Sequence, residues 1–226
     1  MDLTEQISWI DEKLLEQYGE PERRSEDDPM GTLIRTILSQ NTSDVNSRRA
    51  YEDLRETYPS WGQLANAAGD QIAEVIRSGG LANQKSQRIS RVLHWAENHS
   101  DSYDLSWICA EDPEEMMATL TGIKGIGVKT AAIVLCFACG ADIFPVDTHV
   151  NRVSRRLGLV SERSSPDRTF RELTGKIPSG RSQPLHLNMI RHGRTLCRAR
   201  TPQCQRCRLL SRCPYGQEYQ REEDEK

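Results

Sequence analysis

Apolar positions along the chain recur at intervals of three and four residues, and no stretch alternates over the length of a strand. This pattern predicts a first helix over about residues 3–18, ended by the charged loop EPERRSEDDP. An apolar helix begins near Pro29 and covers TLIRTILSQ. Asn41, Thr42 and Ser43 form a junction, and Ser43 or Asp44 caps the helix DVNSRRAYEDLRETY. WGQLANA and DQIAEVIR read as two short helices after Pro59, stopped by Gly79–Gly80. A long amphipathic helix follows from about Gln84 to Asn98, and Asp112–Pro113 opens another, with proline suited to a first turn. Further helices are expected at 128–138, 148–157, 166–175 and 183–196. The expectation is an all-α chain of about ten helices, without internal repeats.

A chain of 226 residues suits one large domain or two small interlocked ones. It has no run of about 18 apolar residues, so a transmembrane helix is excluded. The start, MDLTEQISWI, lacks a basic region followed by an apolar stretch, so no secretory signal is expected. These readings predict an intracellular protein, cytoplasmic and nucleoid-associated, in a reducing compartment. Seven cysteines would not form a disulfide framework there.

The net charge of −3 hides an asymmetry. No Asp or Glu occurs from Leu173 to Gln217, an interval that carries Lys176, Arg181, Arg191, Arg194, Arg198, Arg200, Arg206, Arg208 and Arg212. The end, EYQREEDEK, is acidic and is expected to be disordered over 217–226. A basic surface on an acidic protein predicts a polyanionic partner, because local potential rather than net charge guides docking. A solvated arginine-rich face is the plain alternative.

Within the basic interval four thiols are spaced Cys197-x6-Cys204-x2-Cys207-x5-Cys213. Four thiolates from one short loop suit an iron–sulfur cluster, here a [4Fe–4S] cluster. Zinc is the rival, although structural zinc sites usually use two C-x2-C pairs and only one such pair is present. Cys109, Cys136 and Cys139 have no ligand spacing. Cys136 and Cys139, in AAIVLCFACG, read as small core residues.

A second candidate is LTGIKGIGVKTAAIVL, residues 120–135. Two helices joined at Gly125-Ile126-Gly127 would leave backbone N–H groups exposed at the start of the second helix, where a phosphate is attracted. Ile123 and Ile126 would pin the turn to the core. Lys129 follows in the first turn, where its plain role is a phosphate contact. Further on, FPVDTHVNRVSRRLG places Asp147 as an N-cap candidate for a helix carrying Val150, Val153 and Leu157 on one side.

The cysteine spacing, the preceding LNMIRHGRTLC, the hairpin segment and VDTH together resemble the endonuclease III family of DNA glycosylases, over about residues 29–215. The resemblance implies two helical lobes flanking a DNA-binding cleft, with a helix-hairpin-helix motif and a C-terminal cluster loop. The expected lobes are 1–28 plus 148–216 and 29–147. It implies that Lys129, in GIGVKTA, is the nucleophile and that Asp147, in VDTH, is its partner at the cleft mouth. A neutral amine attacks, so partial desolvation of Lys129 would help. The implied activity is bifunctional: base removal through a lysine Schiff base, then strand nicking at the abasic site.

The same resemblance implies that LSQNTSD, with Gln40 and Asn41, and SGGLANQKS, with Leu81, enter the duplex as the target base leaves the stack. The family often has Gln where Asn41 stands, and a basic residue where Val128 stands. Gly125, Gly127, Val128 and Thr130 at the hairpin, His149 beside Asp147, and Arg194, Arg198, Arg200, Arg206 and Arg208 near the cluster would contact DNA. The implied partner is double-stranded DNA with a damaged base or abasic site, bound by a monomer. Oxidised pyrimidines are the leading substrate; uracil, thymine opposite guanine, or modified cytosine stay open. A non-catalytic DNA-binding module and a redox-sensing iron–sulfur protein are the readings from other classes.

Overall fold

The computed structural model describes residues 2–22, 28–100 and 102–225. Among them every regular element is helical, as expected. Half of the charged loop expected after the first helix, residues 23–27, lies outside the described residues. The chain divides into two compact units, residues 1–24 with 142–226, and residues 25–141.

The second unit contains α2 (Pro29–Ser39), α3 (Asp44–Thr57), α4 (Trp61–Ala65), α5 (Gly69–Val75), α6 (Ala82–Glu97), α7 (Pro113–Gly122) and α8 (Val128–Phe137). Helix α2 is its centre, because Met30, Leu33, Ile34, Ile37 and Leu38 are all fully buried. Ser43 caps α3 by accepting from Asn46 N at 3.2 Å, so Ser43 rather than Asp44 supplies the cap. Asp112 caps α7, its Oδ1 accepting from Glu114 N and Glu115 N at 2.9 and 3.0 Å, with Pro113 in the first turn.

One expectation fails in this unit. Cys109 and Cys139 form a disulfide across 30 residues of sequence, with Cα atoms 4.8 Å apart. It ties the 3₁₀ turn at Ser106–Cys109 to the end of α8. Cys139 is thus half of a bridge rather than a lone core thiol, and only Cys136 keeps the buried role expected of both. The pairing follows from the fold of α7 and α8, which returns the chain to the 106–109 turn, and no local spacing announces it.

The first unit contains α1 (Leu3–Tyr18), α9 (Thr148–Arg156), α10 (Pro166–Leu173), α11 (Ser182–Thr195) and α12 (Pro214–Asp224). Ile7, Ile10 and Leu14 of α1 join Val150 and Val153 of α9 and Leu185 and Met189 of α11 in one core. Phe144 and Val146 belong to this core, which is why residues 142–147 cluster here and not with the central lobe that the sequence reading gave them. Gly193 lets α11 approach α9 closely: a Cβ there would stand 3.1 Å from His149 Cβ.

The acidic end also departs from expectation, since it is helical through Asp224. Pro214 starts α12, the Cys213 side chain caps it, and Gln217 Nε2 donates to Leu210 O and Ser211 O at 3.3 and 3.0 Å. The stretch without acids is not without acids in space. Arg181 forms a two-pronged pair with Asp11, at 2.6 and 3.1 Å, and also reaches Glu20. Arg208 pairs with Glu16 at 3.4 Å. Helix α1 thereby neutralises part of the basic interval.

Candidate functional site

In the second unit, the hairpin joins α7 to α8 through residues 123–127. Ile123 and Ile126 are buried, as expected, and Ile126 N donates to Ile123 O at 2.9 Å. Gly125 stands at φ +104°, a backbone state that side chains resist. Gly127 caps α8, its carbonyl accepting from Thr130 N and Ala131 N. Helix α8 is held by burial of Thr130, Ala131, Val134 and Leu135, and its first turn is only partly exposed. Lys129 lies in that turn and is exposed. The protein itself therefore does not supply the desolvation that the sequence reading asked for; Val128 beside it is half-buried and Thr130 is buried.

The two loops nominated as DNA-entering share an unusual backbone. Asn41 has φ +52° and Leu81 has φ +50°, two of the three non-glycine residues with positive φ among those described. Such residues are uncommon and gather at functional segments. Both are exposed, Leu81 by 48%. Leu81 and Val45, 71% exposed in the first turn of α3, are the exposed large apolar side chains among the described residues.

Gln40 does not project freely. Its Nε2 donates to Thr130 Oγ1 at 3.3 Å, and its Oε1 accepts a close hydrogen bond from Arg88. Arg88 also lies over the hairpin glycine: a Cβ on Gly125 would meet Arg88 Cγ at 2.9 Å. Lys85, one turn before Arg88, is fully buried and donates from Nζ to Leu38 O at 2.7 Å and Gly79 O at 2.8 Å. Burial, assisted by the Arg88 charge, lowers the Lys85 amine to about 8. Neither Lys85 nor Arg88 was singled out from sequence; NQKSQR gives only helical polar residues, and Leu38, one partner of Lys85, and Gln40, the partner of Arg88, lie 47 and 48 positions away.

In the first unit, Asp147 is buried and caps α9, its Oδ1 accepting from Val150 N at 2.7 Å. The N-cap role expected of it is present. Its other carboxylate oxygen has no hydrogen bond among the described residues. His149 Nδ1 lies 3.1 Å from Arg152, whose guanidinium donates to Cys197 O and Gly193 O at 3.1 and 2.9 Å. His149 is therefore held by packing and by Arg152. His186 is buried, and its Nδ1 donates to Pro145 O at 2.8 Å, which fixes its tautomer within the core.

Cys197, Cys204, Cys207 and Cys213 line one cavity with His192 and Arg156. Burial pushes the Cys207 thiol up to about 11 and raises Cys204 and Cys213 as well. Four thiols gathered where thiolates are penalised are a set whose burial a bound metal's positive charge would offset. Arg156 organises the loop, donating to Arg198 O at 2.7 Å and Ala199 O at 2.9 Å, reaching Cys197 Sγ at 3.4 Å, and lying over the Tyr215 ring. Its signal in sequence was only the pair Arg155–Arg156 at the end of α9. His192 bridges Tyr18 OH, 3.1 Å from Nδ1, and Cys207 Sγ, 3.6 Å from Nε2; burial lowers it to about 4. Among the described residues no three His, Cys, Asp or Glu are grouped as ligands of a single metal ion.

Arg194, Arg198, Arg200 and Arg206 are exposed around this loop. Arg198 bonds back to Thr195 O and Arg206 to Gln203 Oε1, both at 3.0 Å. Arg208 is exposed but engaged with Glu16, and Arg212 lies over the Trp9 ring. No helix in the described residues is long and apolar enough to cross a membrane.

Residues 34–179 match the family described as HhH-GPD superfamily base excision DNA repair protein. Endonuclease III of Thermotoga maritima is 33% identical over 198 residues, 86% of this chain and 87% of that protein. Endonuclease III of Sulfolobus acidocaldarius is 34% identical, covering 81% of each chain. The chain spans 58% of the length of a 34% identical Arabidopsis thaliana relative. A non-covalent endonuclease III–DNA complex matches with a TM-score of 0.82 and 27% identity, over 98% of this chain and 100% of that one. A thymine-DNA glycosylase, 21% identical with a TM-score of 0.80, shares the fold. The chain belongs to the HhH-GPD superfamily of base excision DNA repair proteins, as an endonuclease III-like DNA glycosylase.

Proposed function

We propose that the protein is a bifunctional DNA glycosylase and abasic-site lyase that removes oxidised pyrimidines from double-stranded DNA. The observation that carries this reading is the exposed amine of Lys129 in the first turn of α8, directly after the hairpin glycines. A trapped covalent endonuclease III–DNA intermediate, 26% identical with a TM-score of 0.82, supports it.

The chemistry follows from the residue types. The Lys129 amine attacks C1′ and the N-glycosidic bond breaks, the base leaving with the bonding electron pair and gaining a proton. Asp147 stabilises positive charge on the sugar and takes the proton that the attacking amine loses. Ring opening gives an iminium that acidifies C2′. Loss of a C2′ proton then expels the phosphate oxygen from C3′ and nicks the strand, and water releases Lys129. Because the protein leaves Lys129 exposed, bound DNA is what would exclude water from around the amine.

Cys197, Cys204, Cys207 and Cys213 fit a [4Fe–4S] cluster, which supplies a fixed scaffold for the loop when bound. One cavity lined by all four thiols, with a single C-x2-C pair among them, favours the cluster over zinc. The exposed cations Arg198, Arg200 and Arg206 would meet phosphates, with Arg208 joining after release from Glu16, and affinity would fall with salt. Gln40, Asn41 and Leu81 would occupy the space left by the extruded nucleotide, and a monomer suffices for this geometry.

Borohydride tests the assignment. With a duplex carrying an oxidised pyrimidine, wild type should be trapped as a covalent adduct, and Lys129→Gln should not. A strong adduct in that variant would place the nucleophile elsewhere. A panel of duplexes with single lesions, including uracil and thymine opposite guanine, then sets the substrate.

A further inference from the structure

Helix α6 carries two residues that the proposed chemistry does not use. Lys85 is a charged side chain with 1% exposure, and its amine reaches backward to two carbonyls. Leu38 O belongs to the end of α2, three residues before the strained Asn41. Gly79 O lies two residues before the strained Leu81. One buried amine thus ties the roots of both loops. Arg88, three residues on and so on the same side of α6, extends the tie to the hairpin. It holds Gln40 and covers Gly125, while Gln40 holds Thr130, the neighbour of Lys129.

We propose that Lys85 and Arg88 are positioning residues for base extrusion, making α6 a bracket that fixes the 38–44 loop, the 78–81 loop and the hairpin turn in one register. The inference rests on the reading of the protein as a glycosylase that extrudes its target nucleotide. Leu81 is itself the N-cap of α6 in a left-handed conformation, so the wedge candidate is built on the first residue of the bracket. Lys85 N and Gln84 N both donate to Leu81 O at 3.0 Å. A loop in an uncommon backbone state keeps it only when its surroundings over-determine it. A buried ammonium placed between two loop carbonyls is such a constraint, because leaving those carbonyls unpaired in the core is unfavourable. The exposed large apolar side chains among the described residues, Val45 and Leu81, lie just after the first tied segment and at the end of the second.

The test uses the full chain and a duplex in which 2-aminopurine faces an oxidised pyrimidine on an uncleavable 2′-fluoro sugar. Wild type should raise the fluorescence as the loops enter and unstack the pair. In Lys85→Met the rise should fall below roughly half, while anisotropy gives affinity for undamaged duplex within about threefold of wild type. Single-turnover base removal should drop about 100-fold, the usual penalty for misplacing a substrate by about 1 Å. Cleavage of a preformed abasic site, which needs no base pulled from the stack, should fall much less. Arg88→Ala should move every readout the same way, and its half-exposed side chain leaves the core intact if Lys85→Met fails to fold. Wild-type fluorescence and excision in folded Arg88→Ala, or in folded Lys85→Met, would overturn the bracket. Failure of the glycosylase reading would appear separately, as a wild-type protein that excises no base, and the fluorescence readout does not depend on it.

Discussion

Asp147 has two roles that a single pair of substitutions separates. Its Oδ1 caps α9 at 2.7 Å from Val150 N, a structural task that any buried acceptor of that shape performs. Its charge is what the proposed chemistry needs. Asp147→Asn keeps the carbonyl acceptor and removes only the charge. The helix-dipole contribution lost is about 0.3–1 kcal/mol, and relief from burying a carboxylate offsets part of it. Asp147→Ala removes the cap, worth about 0.5–2 kcal/mol, and leaves a buried N–H unpaired. For a chain of this size about 1 kcal/mol moves Tm by roughly 2–4 °C. Calorimetry should therefore place Asn within about 3 °C of wild type and Ala several degrees lower. Single-turnover excision of an oxidised pyrimidine should nevertheless fall about 10²–10⁴-fold in both. If Asp147→Asn excises at the wild-type rate, Asp147 is a cap and nothing more, and the partner of Lys129 must be sought elsewhere.

Two further outcomes follow from groups in the second unit. Gly125→Ala forces a side chain into φ +104° and against Arg88 Cγ, costing about 1–3 kcal/mol, measurable by urea unfolding; a loss under about 0.5 kcal/mol would mean that the turn adapts freely. Lys85 titrates near 8 when folded against 10.5 when free, so between those values the unfolded chain binds more protons and stability rises with pH. The neutral amine keeps two N–H donors, enough for Leu38 O and Gly79 O, so the tie survives deprotonation. Lys85→Met should flatten the stability profile between pH 8 and 10.5 relative to wild type, and an unchanged slope would deny the shift.

The helices were legible because each buries one face and is punctuated locally. Ser43, Asp112 and Asp147 announce their helix starts by residue type, and each does accept from a backbone N–H. The cysteine spacing was legible for the same reason, since one loop supplies all four thiols. What escaped was set by partners distant in sequence. Arg88 meets Gln40, Cys109 meets Cys139, and Glu16 meets Arg208, across 48, 30 and 192 positions. Periodicity carries no record of such pairs. Helix α12 was missed for a different reason: its run of charges reads as solvated coil, while its order comes from Pro214, the Cys213 cap and the Gln217 contacts at its start.

The pair Gly79–Gly80 shows how far residue type alone can mislead about strain. Two glycines before an exposed leucine suggest that the glycines carry the difficult backbone. Gly80 does, at φ +69°, but Gly79 does not. Gly79 is small for a different reason, since a Cβ there would stand 3.1 Å from Ala50 Cβ, where the 3₁₀ turn at Arg77–Gly79 packs on α3. That close approach brings Gly79 O within reach of Lys85. The left-handed conformation then passes to Leu81, a residue with no intrinsic preference for it. A leucine held there, with about half of its surface in solvent, gains little from the folded protein alone. The arrangement makes sense when the side chain is meant to meet something outside the chain, and a base-pair step opened by a departing nucleotide is an apolar surface of the right kind.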